Sequence, residues 1–182
     1  MSTWEYAIFD FDGTISNLRV DWDKIREKFS LRKVSDFWFM ENYKKQEVME
    51  YISQREIDGI ECRLNFEKSA LSLFREFGVL SNNSEKCIGI FFSNEIWQLT
   101  GGINVPKVVV GRESLKGSKE DRKIFEKGIN MILSNWTDTN VNKCLYVGDQ
   151  NYEIAYAQEL GLSSLSISAF RFQVQAKSLS DN

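Results

Sequence analysis

Four short apolar runs recur along the chain, and three of them end at a polar group that leads into a turn or a helix start. They are residues 6–11 (YAIFDF), 88–92 (IGIFF), 105–110 (VPKVVV) and 144–147 (CLYV), with a weaker fifth at 162–167. Runs that are apolar throughout, rather than alternating, suit strands buried between helical layers of a parallel sheet. The first run leads into Asp12-Gly13-Thr14, the second into Ser93-Asn94 and the fourth into Gly148-Asp149. In open parallel sheets, ligands bind in the crevice beyond the carboxyl ends of the strands. Asp10, Asp12, Ser93, Asn94 and Asp149 are all expected at or just past such ends.

Helical patterns separate the runs. Residues 66–77 place Phe66, Ala70, Leu73, Phe74 and Phe77 on one face, with Gly78 as a stop. Residues 119–133 carry Ile124, Phe125, Ile129 and Ile132 at helical spacing, and 152–160 carry Ile154, Ala157 and Leu160 before Gly161. Alternating strands and helices predict an α/β fold with a three-layer, Rossmann-like core around a parallel sheet. Residues 17–65 are too long for a simple crossover. They read as a small all-helical insertion over the strand ends, with helices at 21–31, 35–45 and 46–55 and N-caps at Asp21 and Ser35. The core then comprises residues 1–16 and 66–182. Within the insertion, Phe37-Trp38-Phe39 cannot all face one way, since helical neighbours are ~100° apart.

Composition removes several classes of chemistry. The 182 residues contain no histidine, and three widely spaced cysteines, Cys62, Cys87 and Cys144. A Cys/His zinc site and Ser-His or Cys-His catalysis therefore drop out. Unpaired thiols in apolar surroundings suggest a reducing compartment, the cytoplasm. A net charge of −3 without a basic block argues against nucleic acid as a partner. The apolar runs are strand-sized, so no membrane span is expected. Acid–base work falls to carboxylates, lysine or tyrosine.

Residues 9–15, FDFDGTI, set two carboxylates two positions apart at the end of a buried strand. One can attack phosphorus, dividing a hard displacement into two steps, and the other can move the protons. Gly13 permits the turn that brings them together. This segment resembles the first motif of the haloacid dehalogenase (HAD) superfamily, D-x-D-G-T-[LIV]. Phe91-Phe92-Ser93-Asn94 resembles the second motif, a strand ending in a hydroxyl residue. Lys119, five residues before Ile124-Phe125, resembles the motif lysine, although both prolines usual there are absent and Lys116 lies nearby. Residues 145–154, LYVGDQNYEI, resemble V-G-D-x-x-x-D-I with Glu153 in place of the second aspartate.

The resemblance implies a Mg²⁺-dependent phosphatase acting on a small phosphorylated metabolite. Asp10 would be the nucleophile and Asp12 the acid and base. Ser93, Asn94 and Lys119 would hold the phosphoryl group, and Asp10, Asp12 (through its backbone carbonyl), Asp149 and Glu153 would serve the metal. An insertion after the first motif resembles the helical cap of the phosphoglycolate-phosphatase-like branch. A phosphomutase of the β-phosphoglucomutase type shares all four motifs, and a catalytically weak HAD-like binding protein is the third alternative. The L-2-haloacid dehalogenases lack the second aspartate, so Asp12 argues against that reaction. Only residues 95–104 separate Asn94 from the next apolar run, a short crossover for parallel strands. Neither the substrate nor the oligomeric state has a signature in the sequence.

Overall fold

A computed structural model describes residues 4–61, 63–93, 105–136 and 140–180. Five parallel strands form one sheet: β1 (Tyr6–Phe9), β2 (Glu76–Leu80), β3 (Val108–Val110), β4 (Cys144–Gly148) and β5 (Ser163–Ser166), in the order β3-β2-β1-β4-β5. β1 is central, paired in register with β2 through Phe9 and Val79 and with β4 through Phe9 and Val147. Side chains of a strand alternate between faces, and β1 shows it. Ala7 and Phe9 join one core cluster, while Tyr6 and Ile8 join the other.

The first face is covered by α3 (Glu85–Ser93) and α7 (Ile167–Ser180), the second by α5 (Arg122–Leu133) and α6 (Asn151–Glu159). On the first face Phe9 packs against Phe66, Phe74, Phe77 and Phe170 with ring centroids 5.6–5.9 Å apart. β1 and β4 are buried on both faces and need no polar side, which is why their sequences read as continuous apolar runs.

Several sequence expectations are corrected. Residues 88–92 are not a strand but lie within the helix α3. Ile88, Phe91 and Phe92 are buried at helical spacing, while Ile90 faces outward. Ser84 Oγ accepts the Cys87 N–H (3.1 Å) at the head of this helix. The strand is instead β2, and residues 66–77, expected as one helix, are a 3-10 helix (Lys68–Leu73) leading into it. Gly78, expected to stop a helix, lies inside β2. A Cβ there would stand 2.7 Å from Ile132 Cγ2, so the glycine admits close approach of α5. The crossover from β2 to β3 accordingly runs over residues 81–107 and contains α3, so the short connection feared from the sequence does not arise.

Between β1 and β2 lie α1 (Trp22–Phe29), a 3-10 helix (Val34–Phe39) and α2 (Asn42–Asp58). Asp21 caps α1 through the Lys24 N–H. Ser35 caps nothing here, and the second and third expected helices are replaced by the 3-10 turn and one long α2. Ile25, Phe37, Val48 and Ile52 form a third core cluster. Of the aromatic triplet, Phe37 is buried and Phe39 is 90% exposed. The segment leaves and returns at one place. Leu18 and Ile60 form an antiparallel bridge, Arg19 N–H donates to Gly59 O (2.9 Å), and Ser16 Oγ donates to Glu61 O (2.9 Å).

Candidate active site

The turn after β1 carries the first two carboxylates. Asp10 N–H donates to Val147 O (2.9 Å), extending the ladder by one residue and fixing Asp10 beside the end of β4. Its side chain is buried. Gly13 adopts φ +81°, a conformation disfavoured for residues with a Cβ. A Cβ at this position would also stand 2.8 Å from Asp149 Oδ2. The tight turn and the approach of Asp149 thus require the same glycine. Asp12 Oδ1 accepts the Leu18 N–H (2.8 Å). Burial raises the Asp12 carboxyl to about 6; the Leu18 N–H opposes this, and the charges of Asp10 and Asp149 add to it.

Lys119 enters from the loop ahead of α5, which Asp121 caps by accepting the Lys123 N–H (2.8 Å). Its ammonium is buried and pairs with Asp10 Oδ1 and with Glu153 Oε1, the latter at 2.6 Å. Burial works against the lysine charge, but the two carboxylates outweigh it and hold its pKa above the ordinary value. Lys116 is exposed, in a left-handed conformation. Glu153, on the first turn of α6, is fully buried. Tyr146 OH donates to its Oε2 (3.0 Å) and Tyr152 OH to its Oε1 (3.3 Å). Burial pushes the Glu153 carboxyl upward, and Lys119 opposes it.

Asp149 follows β4, with Oδ2 accepting from Gln150 Nε2 (2.7 Å). Burial and then the charge of Asp10 raise its pKa. One carboxylate oxygen each from Asp10, Asp149 and Glu153 lie within 4.8 Å of one another. An ion holding oxygens at ~2.1 Å spans about 4 Å between opposite ligands, so small side-chain shifts would suffice to close on it. The donors are hard oxygens gathered from three carboxylates. This set fits a divalent cation such as Mg²⁺. Both oxygens of Glu153 already have partners, whereas Asp10 and Asp149 are less committed.

Ser93 does not join this group. It sits exposed on the last turn of α3, with Oγ donating to Ile90 O (3.2 Å). Asn94 and Cys62 lie outside the described residues. The strand end beside Asp10 belongs to β2, and its residues are Ser81 and Asn82, which the sequence reading passed over. Asn82 Oδ1 accepts the Lys119 N–H (2.9 Å), joining this turn to the lysine loop. The usable signal was Val79-Leu80-Ser81-Asn82, an apolar pair running into a hydroxyl and an amide. Cys87 and Cys144 are free and buried.

A cleft of about 560 Å³ opens above these side chains, with Asp10, Asp12, Ser81, Lys119 and Asp149 on its floor side. The inserted segment contributes Trp22, Arg26, Arg32, Lys33 and Trp38. No helix among the described residues is long and apolar enough to cross a membrane.

No protein-family model and no curated protein sequence matches the chain. Solved structures do. A haloacid dehalogenase-like hydrolase from Bacteroides fragilis superposes with a TM-score of 0.58 at 14% identity, covering 88% of this chain and 86% of that one. A HAD-family enzyme from Bacteroides thetaiotaomicron, in complex with magnesium and inorganic phosphate, gives 0.53 at 15% identity, covering 89% and 93%. An L-2-haloacid dehalogenase from Xanthobacter autotrophicus gives 0.50 at 13%, covering 88% and 76%. At such identities the likeness speaks for architecture alone. The chain has the α/β fold of the HAD-like hydrolases.

Proposed function

We propose that the protein is a Mg²⁺-dependent phosphatase that hydrolyses a small phosphorylated metabolite through an aspartyl-phosphate on Asp10. The observation that carries this reading is the meeting of Asp10, Lys119 and Asp149, from three separated segments, at the carboxyl end of the central strands. The fold alone does not choose the reaction, since a dehalogenase shares it. Asp12 supports the phosphatase reading, because a second carboxylate beside the nucleophile has work in phosphoryl transfer that dehalogenation does not require.

A carboxylate oxygen of Asp10 bonds to phosphorus as the bond from phosphorus to the leaving oxygen breaks. Asp12, whose raised pKa keeps a share of it protonated near neutral pH, gives its proton to that oxygen. Asp12 then takes a proton from water, the water oxygen attacks phosphorus, and the bond to Asp10 breaks to release inorganic phosphate. Lys119 neutralises charge on Asp10 and on the phosphoryl oxygens. The Ser81 hydroxyl, which turns from Asn83 Oδ1 to donate, and the Asn82 amide replace Ser93 and Asn94 as the phosphate-holding pair. Asp10, Asp149 and the Asp12 carbonyl would hold Mg²⁺, with Glu153 as a further ligand or as the holder of Lys119. The ion supplies electrostatic stabilisation of the phosphoryl oxygens. Residues 17–65 form the lid that bounds the cleft and selects the leaving group.

The test is hydrolysis of a generic aryl phosphate with Mg²⁺ by wild type and Asp10→Asn. Turnover abolished in the variant is expected; undiminished turnover would refute the assignment.

A further inference from the structure

Away from the metal-binding carboxylates, a second buried ion pair joins the inserted segment to the core. Glu56 on α2 is fully buried, and Arg112, at the start of α4 (Arg112–Leu115), is 3% exposed. Arg112 Nη1 donates to Glu56 Oε1 (3.1 Å) and Nη2 to Oε2 (2.7 Å). The carboxylate also accepts from Asn83 Nδ2 (3.0 Å) and from the Ser84 N–H (3.0 Å), and Arg112 Nη2 reaches Ser53 Oγ (3.1 Å).

Stability alone does not explain such a pair. Removing two charges from water costs several kcal/mol per ion, and apolar residues of similar volume often serve as well. Its partners suggest another role. Asn83 is gripped from both sides, since its Nδ2 faces Glu56 while its Oδ1 accepts from Ser81 Oγ (2.7 Å). Asn82, between these two residues, holds the Lys119 N–H. A carboxylate on the inserted helix is thus one hydrogen bond from the turn that carries Ser81 and Asn82, and that turn is one hydrogen bond from the lysine loop.

We propose that Glu56 and Arg112 are positioning residues that hold the Ser81–Ser84 turn in its phosphate-binding form. The proposal rests on the phosphatase reading for the role of that turn. The docked insertion is then a structural part of phosphate binding, in addition to covering the cleft.

The test compares wild type with Glu56→Leu/Arg112→Met, which removes both charges together, and with Asn83→Ala, which keeps the ion pair and its backbone contacts but removes the side-chain link from Glu56 to Ser81. Melting temperature, amide hydrogen exchange and the inhibition constant for inorganic phosphate are measured with Mg²⁺ present. Faster exchange at the amides of residues 82–84 and 119, with a phosphate constant raised tenfold or more in both folded variants, is expected. Unchanged exchange, or faster exchange with an unchanged phosphate constant, overturns the proposal. If the double variant does not fold, Asn83→Ala decides by the same criteria. If wild type turns over no phosphate ester, the enzyme reading fails separately, and calorimetric titration with inorganic phosphate replaces inhibition.

Discussion

Lys119 and Glu153 form an ion pair of 2.6 Å in which both side chains are almost wholly removed from solvent, and the same ammonium also pairs with Asp10. The lysine therefore arrives at the site already oriented. Its neighbour on α6 is fastened in turn by two phenols.

Replacing Lys119 by Met leaves Asp10 and Glu153 without their counter-ion. Breaking a buried pair on one side costs about 3–5 kcal/mol, so the variant is expected to melt well below wild type. Aryl phosphate turnover should fall by about 10²–10³-fold, as for loss of a donor to developing charge. Calorimetry and steady-state kinetics check the two effects.

Tyr146→Phe removes the donor to Glu153 Oε2 while keeping the ring in place. A buried acceptor left unsatisfied costs about 1–3 kcal/mol. The urea midpoint should drop with an unchanged slope.

Asp12 has a pKa of about 6 in the fold against an ordinary 3.8, so the folded protein binds this proton more tightly than the unfolded chain does. The resulting stabilisation is complete below 3.8 and lost as pH rises through 6. Without Mg²⁺, the melting temperature of wild type relative to Asp12→Asn should therefore decline from pH 4 to pH 7. Differential scanning at several pH values measures this, and saturating Mg²⁺ should flatten the difference.

Gly13→Ala places a methyl against Asp149 Oδ2 at a positive φ. Loss of stability is expected, together with loss of the upward thermal shift expected of wild type on addition of Mg²⁺. Thermal melts with and without the ion report both.

Ser81 and Ser93 offer a direct contrast. Ser81→Ala should lower kcat/KM for an aryl phosphate by about tenfold, the value of one hydrogen bond of ~1.4 kcal/mol. Ser93→Ala, on the outer end of α3, should stay within about twofold, because surface changes rarely exceed ~0.5 kcal/mol.

The two ends of the site differed in how plainly the chain announced them. Asp10 and Asp149 each follow a strand of unbroken apolar residues, so the same pattern that marks the sheet also marks the site. The end of β2 was hidden because its inner residues are Phe77-Gly78-Val79-Leu80, and a glycine that admits α5 looks locally like a helix stop. Residues 88–92 misled in the opposite sense. Five apolar residues in a row have no period of their own, and only the packing of Ile88, Phe91 and Phe92 on one face shows the helix. Glu56 and Arg112 stand 56 positions apart and meet only through the docking of α2, which no local pattern encodes. Lys119 is singled out by its distance from Ile124-Phe125 because it lies on the loop that leads into the helix carrying that pair.

The paired crossing of Leu18 with Ile60 has a consequence for how such a molecule can change. What is threaded between two adjacent points can grow, shrink or be exchanged without pulling on either, because the gap to be spanned stays the same. Residues 19–59 can therefore be rewritten as a cassette without displacing the strand ends, provided a replacement supplies a carboxylate where Glu56 now reaches down.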